Sequence, residues 1–213
     1  MKKVIWLSII IVVIEVIAAL ILLPLLPEQI PIHWNIHGAV DGYGGKWFIF
    51  LSPLMTAAFT GLLAILPRID PKRRNAERSA AAYSALILML NLLFVVMFII
   101  TALASLDIPV SVNHILLPAI GILFIGLGNY MPKIKQNYFF GIRLPWTLAN
   151  ETVWTKTHRL GGWLFMLDGF LFVIAALVPP PLNFILPMAG VVLILVVTTV
   201  YSYIIFRKQP DGD

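Results

Sequence analysis

Six long apolar segments alternate with polar segments along the chain. Their lengths are close to the roughly 20 residues that cross the hydrocarbon core of a bilayer. Because lipid offers the backbone no hydrogen-bond partners, we predict that all six are transmembrane helices. In chain order they are Val4–Leu23, Trp47–Leu66, Ala80–Ser105, Ile108–Leu127, Gly161–Val178 and Leu182–Phe206. The predicted fold class is therefore an all-α polytopic membrane protein.

The composition agrees with a chain that is mostly surrounded by lipid. Of the 213 residues, 60% are apolar and only 12% are charged, and the mean hydropathy is +0.94. Soluble domains are about a quarter charged. The absence of cysteine excludes disulfides and thiolate chemistry. The net charge of +5 would favour a nucleic-acid partner only if the positive charges formed one accessible patch.

The positions of the lysines and arginines predict the orientation in the membrane. Fourteen of the fifteen lie at the N-terminus, in the loops 67–79 and 130–160 or in the C-terminal tail, all on one side, and Lys46 alone lies on the other. Because basic loops stay in the cytoplasm, we predict that both termini are cytoplasmic and that the loop 24–46 is extracellular. Topology therefore explains the net charge, and direct binding of nucleic acid loses its main support.

The outer loop contains the polar stretch PIHWNIHGAVDGYGGK (Pro31–Lys46), which raises a metal hypothesis. His33 and His37 would share one face of a helix, and with His114 near the outer end of the fourth span they suggest a zinc site. However, the HExxH motif with its general base is absent, and only one helical turn is available. We favour ordinary loop histidines bonded to the backbone, and we expect no metal or other cofactor.

The same loop combines proline, glycine and aromatic residues, which define turns and make a loop compact. A compact outer loop favours a binding surface for a ligand that arrives from outside the cell. The candidate residues of this surface are His33, Trp34, Asn35, His37, Asp41 and Tyr43.

The inner loop Tyr130–Leu160 is long for a connector and rich in aromatic and turn residues, which indicates an ordered functional segment. We predict a short interfacial helix at Glu151–Leu160, with Asn150 as its N-cap and Gly161 at its end. One face of this helix would lie in the lipid headgroups. That face comprises Val153, Trp154, Thr157 and Leu160, whereas Lys156 and Arg159 lie away from it.

Two interpretations of the inner loop stay open. Tryptophans beside basic residues form an aromatic belt in many membrane proteins, and such a belt only anchors the bundle. Alternatively, the loop is a docking surface for a cytoplasmic partner, with Gly161 and Gly162 as a pivot into the fifth span. The candidate docking residues are Asn137, Gly141, Arg143, Trp146, Thr147, Trp154 and His158.

Two acids, Glu15 and Asp168, and the amide Asn91 lie inside the predicted spans. Glu15 is roughly 16 Å and Asp168 roughly 10 Å from the cytoplasmic start of its span. Intramembrane acids are candidates for ion coupling, but no lysine or arginine within a span can pair with them. We favour a neutral acid that bonds to Asn91 or to backbone and so holds helices together.

Two stretches resemble a known family. LPEQIPIHWNIHGAVDGYGGK resembles the small extracellular-side domain of SdpI-type membrane proteins, and NYFFGIRLPWTLANETVWTKTHRLGGWLF resembles the SdpI C-terminal domain. Leu144 departs from the family pattern, in which threonine is expected before Pro-Trp-Thr. With the spans, this divides the chain into residues 1–66 (two spans and the outer loop), residues 67–129 (the basic inner loop and two spans) and residues 130–213 (the SdpI-type C-terminal domain).

The resemblance to the SdpI family also implies a function. Such proteins are immunity proteins in the cell membrane of Gram-positive bacteria. They protect the producing cell from a secreted toxin peptide and, when engaged by the toxin, hold a cytoplasmic transcriptional repressor at the membrane. We therefore expect a binding and signalling protein and not an enzyme, with membrane lipids, a toxin peptide and a repressor as partners. The alternatives are a small ion-coupled transporter and a metal-dependent membrane hydrolase.

Overall fold

The computed structural model describes residues 1–209, in which six helices are long and apolar enough to cross a membrane. They are α1 (Lys2–Leu22), α2 (Leu51–Ile69), α4 (Ala80–Ser105), α5 (Val112–Tyr130), α7 (Glu151–Ala175) and α8 (Leu182–Arg207). The short helices α3 (Arg73–Arg78) and α6 (Pro145–Ala149) lie in connecting segments. The prediction of six apolar spanning helices is confirmed.

These helices expose apolar side chains around the outside of the bundle and bury polar ones inside it. Trp6, Ile21 and Ile122 are each more than half exposed, whereas Ser8 and Asn91 are fully buried. A continuous apolar surface of this kind is unfavourable in water. It is favourable in a bilayer, where it contacts lipid chains.

The helices pack in two groups, α1 with α2 and α4, and α5 with α7 and α8, and the groups meet between α4 and α5. Asn91 of α4 lies inside the first group. Its Nδ2 donates to Ser8 Oγ of α1 at 2.6 Å, and its Oδ1 accepts from Thr60 Oγ1 of α2 at 3.2 Å. One buried amide thus links three helices, which is how polar side chains stabilise helix packing in an apolar medium.

The α5 and α7 helices approach each other closely through two pairs of glycines. A Cβ atom added to Gly121 would lie 2.5 Å from the carbonyl oxygen of Gly169, and one added to Gly162 would lie 2.7 Å from that of Gly128. Neither distance is compatible with a side chain at these positions. Glycine pairs of this kind allow the van der Waals packing between backbones that associates helices in lipid.

The segment between α1 and α2 adds a feature that the all-α prediction did not include. It forms an antiparallel hairpin of two strands, β1 (Gln29–Trp34) and β2 (Val40–Gly45). The end of the bundle that carries this hairpin, the α4–α5 turn and the α7–α8 connection is called the hairpin end. The opposite end, with α3, residues 131–144 and α6, is called the loop end.

The helix predicted at Glu151–Leu160 is the first part of α7 and not a separate element. Asn150 is its N-cap as predicted, because its Oδ1 accepts from the backbone N–H of Val153 at 3.0 Å. The predicted apolar face is also present, but Val153 and Trp154 are buried against the protein. The expectation that this face lies in the lipid headgroups was therefore wrong.

Gly161, which was predicted to end that helix, and Gly162, which was predicted to form a pivot with it, lie in the interior of α7 and are buried. Glycine costs about 1 kcal/mol of helix propensity relative to alanine. Close packing of Gly162 on Gly128 of α5 offsets that cost. The predicted pivot at these glycines is thus a tightly packed helical segment in this structure.

The glycine contact between α5 and α7 leads to a stability prediction. We expect Gly121→Ala to lower the free energy of unfolding by about 1–3 kcal/mol, because the new methyl group overlaps the Gly169 carbonyl. Gly61→Ala in α2 is the matched control, since a Cβ there meets nothing within 4 Å. Thermal unfolding of both variants in detergent measures the difference, and equal midpoints would contradict the close contact.

The orientation in the membrane is a second prediction. Because the chain has no cysteine, single-cysteine variants can report it. Tyr43 on β2 is 60% exposed. We expect the cysteine of Tyr43→Cys to react with a membrane-impermeant maleimide in intact cells. Arg143→Cys at the loop end is expected to react only after the cells are permeabilised. The opposite pattern would reverse the orientation derived from the basic residues.

Candidate functional site

The tip of the hairpin, residues 35–39, is folded around one asparagine. Asn35 Oδ1 accepts from the backbone N–H of His37 at 2.9 Å and from that of Ala39 at 3.2 Å. Its own N–H donates to the Ala39 carbonyl at 2.9 Å. Asparagine commonly stabilises turns through such side-chain bonds to the backbone. The tip is therefore a defined loop with its shape set by Asn35.

His33 and His37 do not share a helix face, as the zinc hypothesis required. His33 lies on β1, and its Nδ1 is 2.5 Å from Asp41 Oδ1 on β2. His37 lies at the tip. Within residues 1–209 no group of three or more His, Cys, Asp or Glu side chains is placed to share a metal ion. His33, His37 and His114 thus do not form a three-ligand site.

The tip is attached to the helices through the carbonyl group of Ile36. This oxygen accepts from Asn113 Nδ2 of α5 and from Asn183 Nδ2 of α8, each at 3.0 Å. A carbonyl oxygen has two lone pairs, and both are used here. The hairpin is therefore bound to the α5–α7–α8 group at one atom by two amides.

A cavity of about 470 Å³ lies beneath the tip at the hairpin end. It is lined by His37 and Gly38, by residues 110–114 and by residues 176–180 with Asn183. His114 Nδ1 is hydrogen bonded to Ser111 Oγ at 2.6 Å. Asn183 is only 3% exposed, and its Oδ1 has no hydrogen-bond partner in the part of the chain that the structure describes. The cavity thus combines polar atoms with apolar walls.

The structure brings together only part of the predicted outer set. Trp34 is half-buried at the end of β1, and Tyr43 projects from β2. Neither they nor the His33–Asp41 pair line the cavity. Sequence reasoning missed Asn113 and Asn183, although a polar residue at the start of an apolar span was a signal that could have marked both.

The loop end is organised by a second buried asparagine. Asn137 Nδ2 donates to the carbonyls of Lys135 and Phe140, both at 2.9 Å. Its Oδ1 accepts from the N–H groups of Phe139 at 2.9 Å and Phe140 at 2.7 Å. One side chain therefore satisfies four backbone groups of a segment that has no regular secondary structure.

His158 of α7 holds the next part of this loop. Its Nε2 accepts from the Ile142 N–H at 3.0 Å, so the ring carries its proton on Nδ1, which is 2.8 Å from the Trp154 carbonyl. The His158 ring stacks on Trp154 with 3.9 Å between centroids. Gly141 has φ of +119° beside this ring, where a side chain would be strained and would overlap His158.

Other polar groups join this loop to the segment between α2 and α4. Asp70 accepts from the N–H of Tyr138 at 2.9 Å, and Asn75 Nδ2 donates to the Gln136 carbonyl at 3.0 Å. Lys72 Nζ donates to Gln136 Oε1. Gln136 in turn donates to carbonyls of α6. The two packing groups are therefore connected at the loop end by partly buried hydrogen bonds.

These contacts revise the predicted docking residues. A buried residue cannot contact a partner directly, and this applies to Asn137, Thr147, Trp154 and His158. Trp146 is half-buried and donates from Nε1 to Ser202 Oγ of α8 at 2.6 Å. Arg143 alone among the seven is exposed, and its guanidinium donates to the Tyr138 carbonyl at 2.7 Å. Most of the set is thus internal scaffold.

The intramembrane acids differ from the expected arrangement. Glu15 Oε1 accepts a hydrogen bond from Ser52 Oγ of α2 at 2.8 Å. Asn91 does not hydrogen bond to it, because the Asn91 amide is hydrogen bonded to Ser8 and Thr60. Asp168 is buried between α7 and α8, next to Gly190. Neither of its oxygens has a hydrogen-bond partner among residues 1–209. The two acids lie in different packing groups, so they do not form one polar path.

Comparisons with known proteins identify similarity over nearly the whole chain. The family model described as the SdpI/YfhL protein family matches residues 133–204, and one described as a domain of unknown function, DUF1648, matches residues 10–57. The immunity protein SdpI of Bacillus subtilis (strain 168) is 30% identical over 208 residues, which cover 98% of each chain. No solved structure matches.

The role of Asn137 gives a prediction for the loop end. We expect Asn137→Ala to destabilise the segment 134–144 by about 2–4 kcal/mol, because buried backbone groups lose their partners. Arg143→Ala is the control, since it removes one exposed bond and should cost less than about 1 kcal/mol. Hydrogen exchange at the amides of Phe139 and Phe140 measures both. Unchanged exchange in Asn137→Ala would contradict this role.

Proposed function

The chain belongs to the SdpI family, and from this premise we propose that it is an integral membrane immunity protein that protects a bacterial cell from a secreted toxin peptide. The observation that carries the proposal is the 30% identity to an immunity protein across 98% of both chains. Six apolar helices make a multi-pass membrane protein, which suits resistance exerted at the cell membrane.

We further propose that the hairpin end faces outside and meets the toxin. The positive-inside distribution of the basic residues supports this orientation. The hairpin end also holds the only segment with regular structure outside the helices in residues 1–209. Its tip is shaped by Asn35 and bound to two helices at Ile36, so it presents a fixed surface to an incoming peptide.

A second proposed activity is signalling by recruitment of a cytoplasmic repressor to the loop end. The exposed charged residues there and at the start of α7 are mostly cationic, which suits an acidic surface on a partner protein. They include Lys133, Lys135, Arg143, Lys156 and Arg159, with Tyr138 among them. The hydrogen bonds of the buried Asn137 and His158 side chains hold this surface in one shape, so partner binding need not order the loop.

The transporter is the remaining candidate, because Asp168 is a buried acid without a hydrogen-bond partner in the described chain. Intramembrane acids of this kind are often functional. We place it second because Asp168 and Glu15 lie in separate packing groups. The metal-dependent hydrolase is not proposed, since His33 is paired with Asp41 and does not join the other histidines.

The immunity proposal is tested in a toxin-sensitive strain. We expect cells that express the wild-type chain to survive toxin concentrations that kill cells with an empty vector. Asn35→Ala removes both side-chain bonds that shape the tip and is expected to reduce survival. Asn35→Asp keeps an acceptor in the same place and is expected to retain protection. Equal survival of all strains and the empty vector would refute the proposal.

The same cells separate immunity from signalling. A reporter fused to the promoter that drives the chain's own gene is expected to respond to sublethal toxin in wild-type cells. Full protection with a silent reporter would restrict the function to immunity. Protein levels in the membrane fraction must be equal in each strain for the comparison to hold.

A further inference from the structure

The cavity at the hairpin end has a lining without formal charge. Among its lining residues there is no lysine, arginine, aspartate or glutamate. A phosphate headgroup or another strongly charged ligand would find no countercharge there. Its volume of about 470 Å³ lies within the usual range for a ligand pocket of a few hundred cubic ångströms. The lining therefore suits a neutral group with both polar and apolar parts.

The polar atoms of the cavity indicate what that group must offer. Asn183 uses its Nδ2 on the Ile36 carbonyl, which fixes the amide orientation and leaves Oδ1 as an acceptor without a partner in the described residues. A buried acceptor of this kind is costly unless a donor reaches it. His37 and His114 add imidazole groups, and Val110, Val178 and Pro179 add apolar walls. A peptide segment supplies N–H donors and apolar side chains together.

The cavity also touches the elements that connect the two ends of the protein. Its walls come from the hairpin tip, the start of α5 and the α7–α8 connection. The α7 helix carries Trp154 and His158 at the loop end, and α8 carries Ser202, the partner of Trp146. A ligand in the cavity would therefore contact α8 and the segment that directly follows α7, and both helices extend to the loop end.

We propose that this cavity is the binding site for the toxin peptide and that it takes up an uncharged peptide segment. Asn183 Oδ1 is covered in this structure, so a backbone N–H of the segment donates to it once the contact between Asn183 and Ile36 opens. This inference rests on the proposed immunity function and names its site. The peptide lies against His37 at the tip and His114 of α5. Peptide binding changes the Ile36 contact, which holds the hairpin to α5 and α8.

Two pairs of variants test the site by peptide-binding measurements on purified protein in lipid nanodiscs. The probe is the toxin peptide against which the wild-type chain protects cells. Asn183→Ala and Asn113→Ala each remove one donor to Ile36, but only Asn183→Ala removes the unpaired acceptor. We expect the dissociation constant to rise about tenfold for Asn183→Ala and less than about threefold for Asn113→Ala. Equal losses would assign the effect to the hairpin contact and overturn the acceptor role.

His37 and His33 provide the second pair. Both side chains are exposed on the same hairpin, so neither substitution removes a buried contact. We expect His37→Ala, which changes the cavity lining, to weaken peptide binding about three- to tenfold. His33→Ala lies outside the cavity and should leave binding unchanged. Weaker binding in His33→Ala alone would move the site to the strands.

Site-directed labelling gives an independent readout. Leu177 lines the cavity and is 81% exposed, so Leu177→Cys is open to a maleimide. Saturating toxin peptide is expected to slow its labelling, while Tyr43→Cys on β2, outside the cavity, reacts at an unchanged rate. Unchanged labelling of Leu177→Cys with peptide bound would overturn the proposal.

The outcomes separate this inference from the function on which it rests. Wild-type protection together with normal peptide binding by Asn183→Ala and His37→Ala overturns the cavity site and leaves immunity standing. A wild-type chain that protects against no toxin overturns both. Zinc binding that depends on His37 and His114, with peptide binding unaffected in His37→Ala, would show a metal site in place of the peptide site.

Discussion

The close contact between α5 and α7 is the constraint on which both functional ends depend. The glycine pairs of Gly121 with Gly169 and Gly162 with Gly128 allow two backbones to meet without side chains between them. Lipid chains are as apolar as the helix surfaces, so the hydrophobic effect contributes little to helix association in a membrane. Close backbone packing is therefore a main source of that association. It joins the helix that carries Asn113 at the hairpin end to the helix that carries Trp154 and His158 at the loop end.

Side-chain amides of asparagine stabilise the connecting segments that lack regular secondary structure. An amide both donates and accepts, so a single residue can satisfy several backbone groups. Asn35 shapes the hairpin tip, Asn137 shapes the loop end, and Asn113 with Asn183 binds the tip to the helices. Asn91 performs the same task between three helices. Four asparagines thus determine how the connecting segments sit on an otherwise apolar bundle, and Asn91 holds three of its helices together.

Toxin binding at one end and repressor binding at the other would require the two ends to influence each other. Such coupling needs two sites and a difference in contacts between two states. The Ile36 carbonyl accepts hydrogen bonds from both α5 and α8, and both helices continue to the loop end. The proposed peptide site adjoins the Ile36 contact, so a bound peptide can change that contact directly.

The sequence by itself determined the six apolar helices, the segregation of basic residues, the N-cap at Asn150 and the family resemblance. These features are local, because span length, capping and composition depend on neighbouring residues. Only the tertiary structure decided that Trp154 and His158 are buried scaffold and that Asn183 reaches the tip from 147 residues away in sequence. No local pattern encodes which distant backbone group a side-chain amide will meet. The partners of Asn113 and Asn183 are therefore set by how the helices pack.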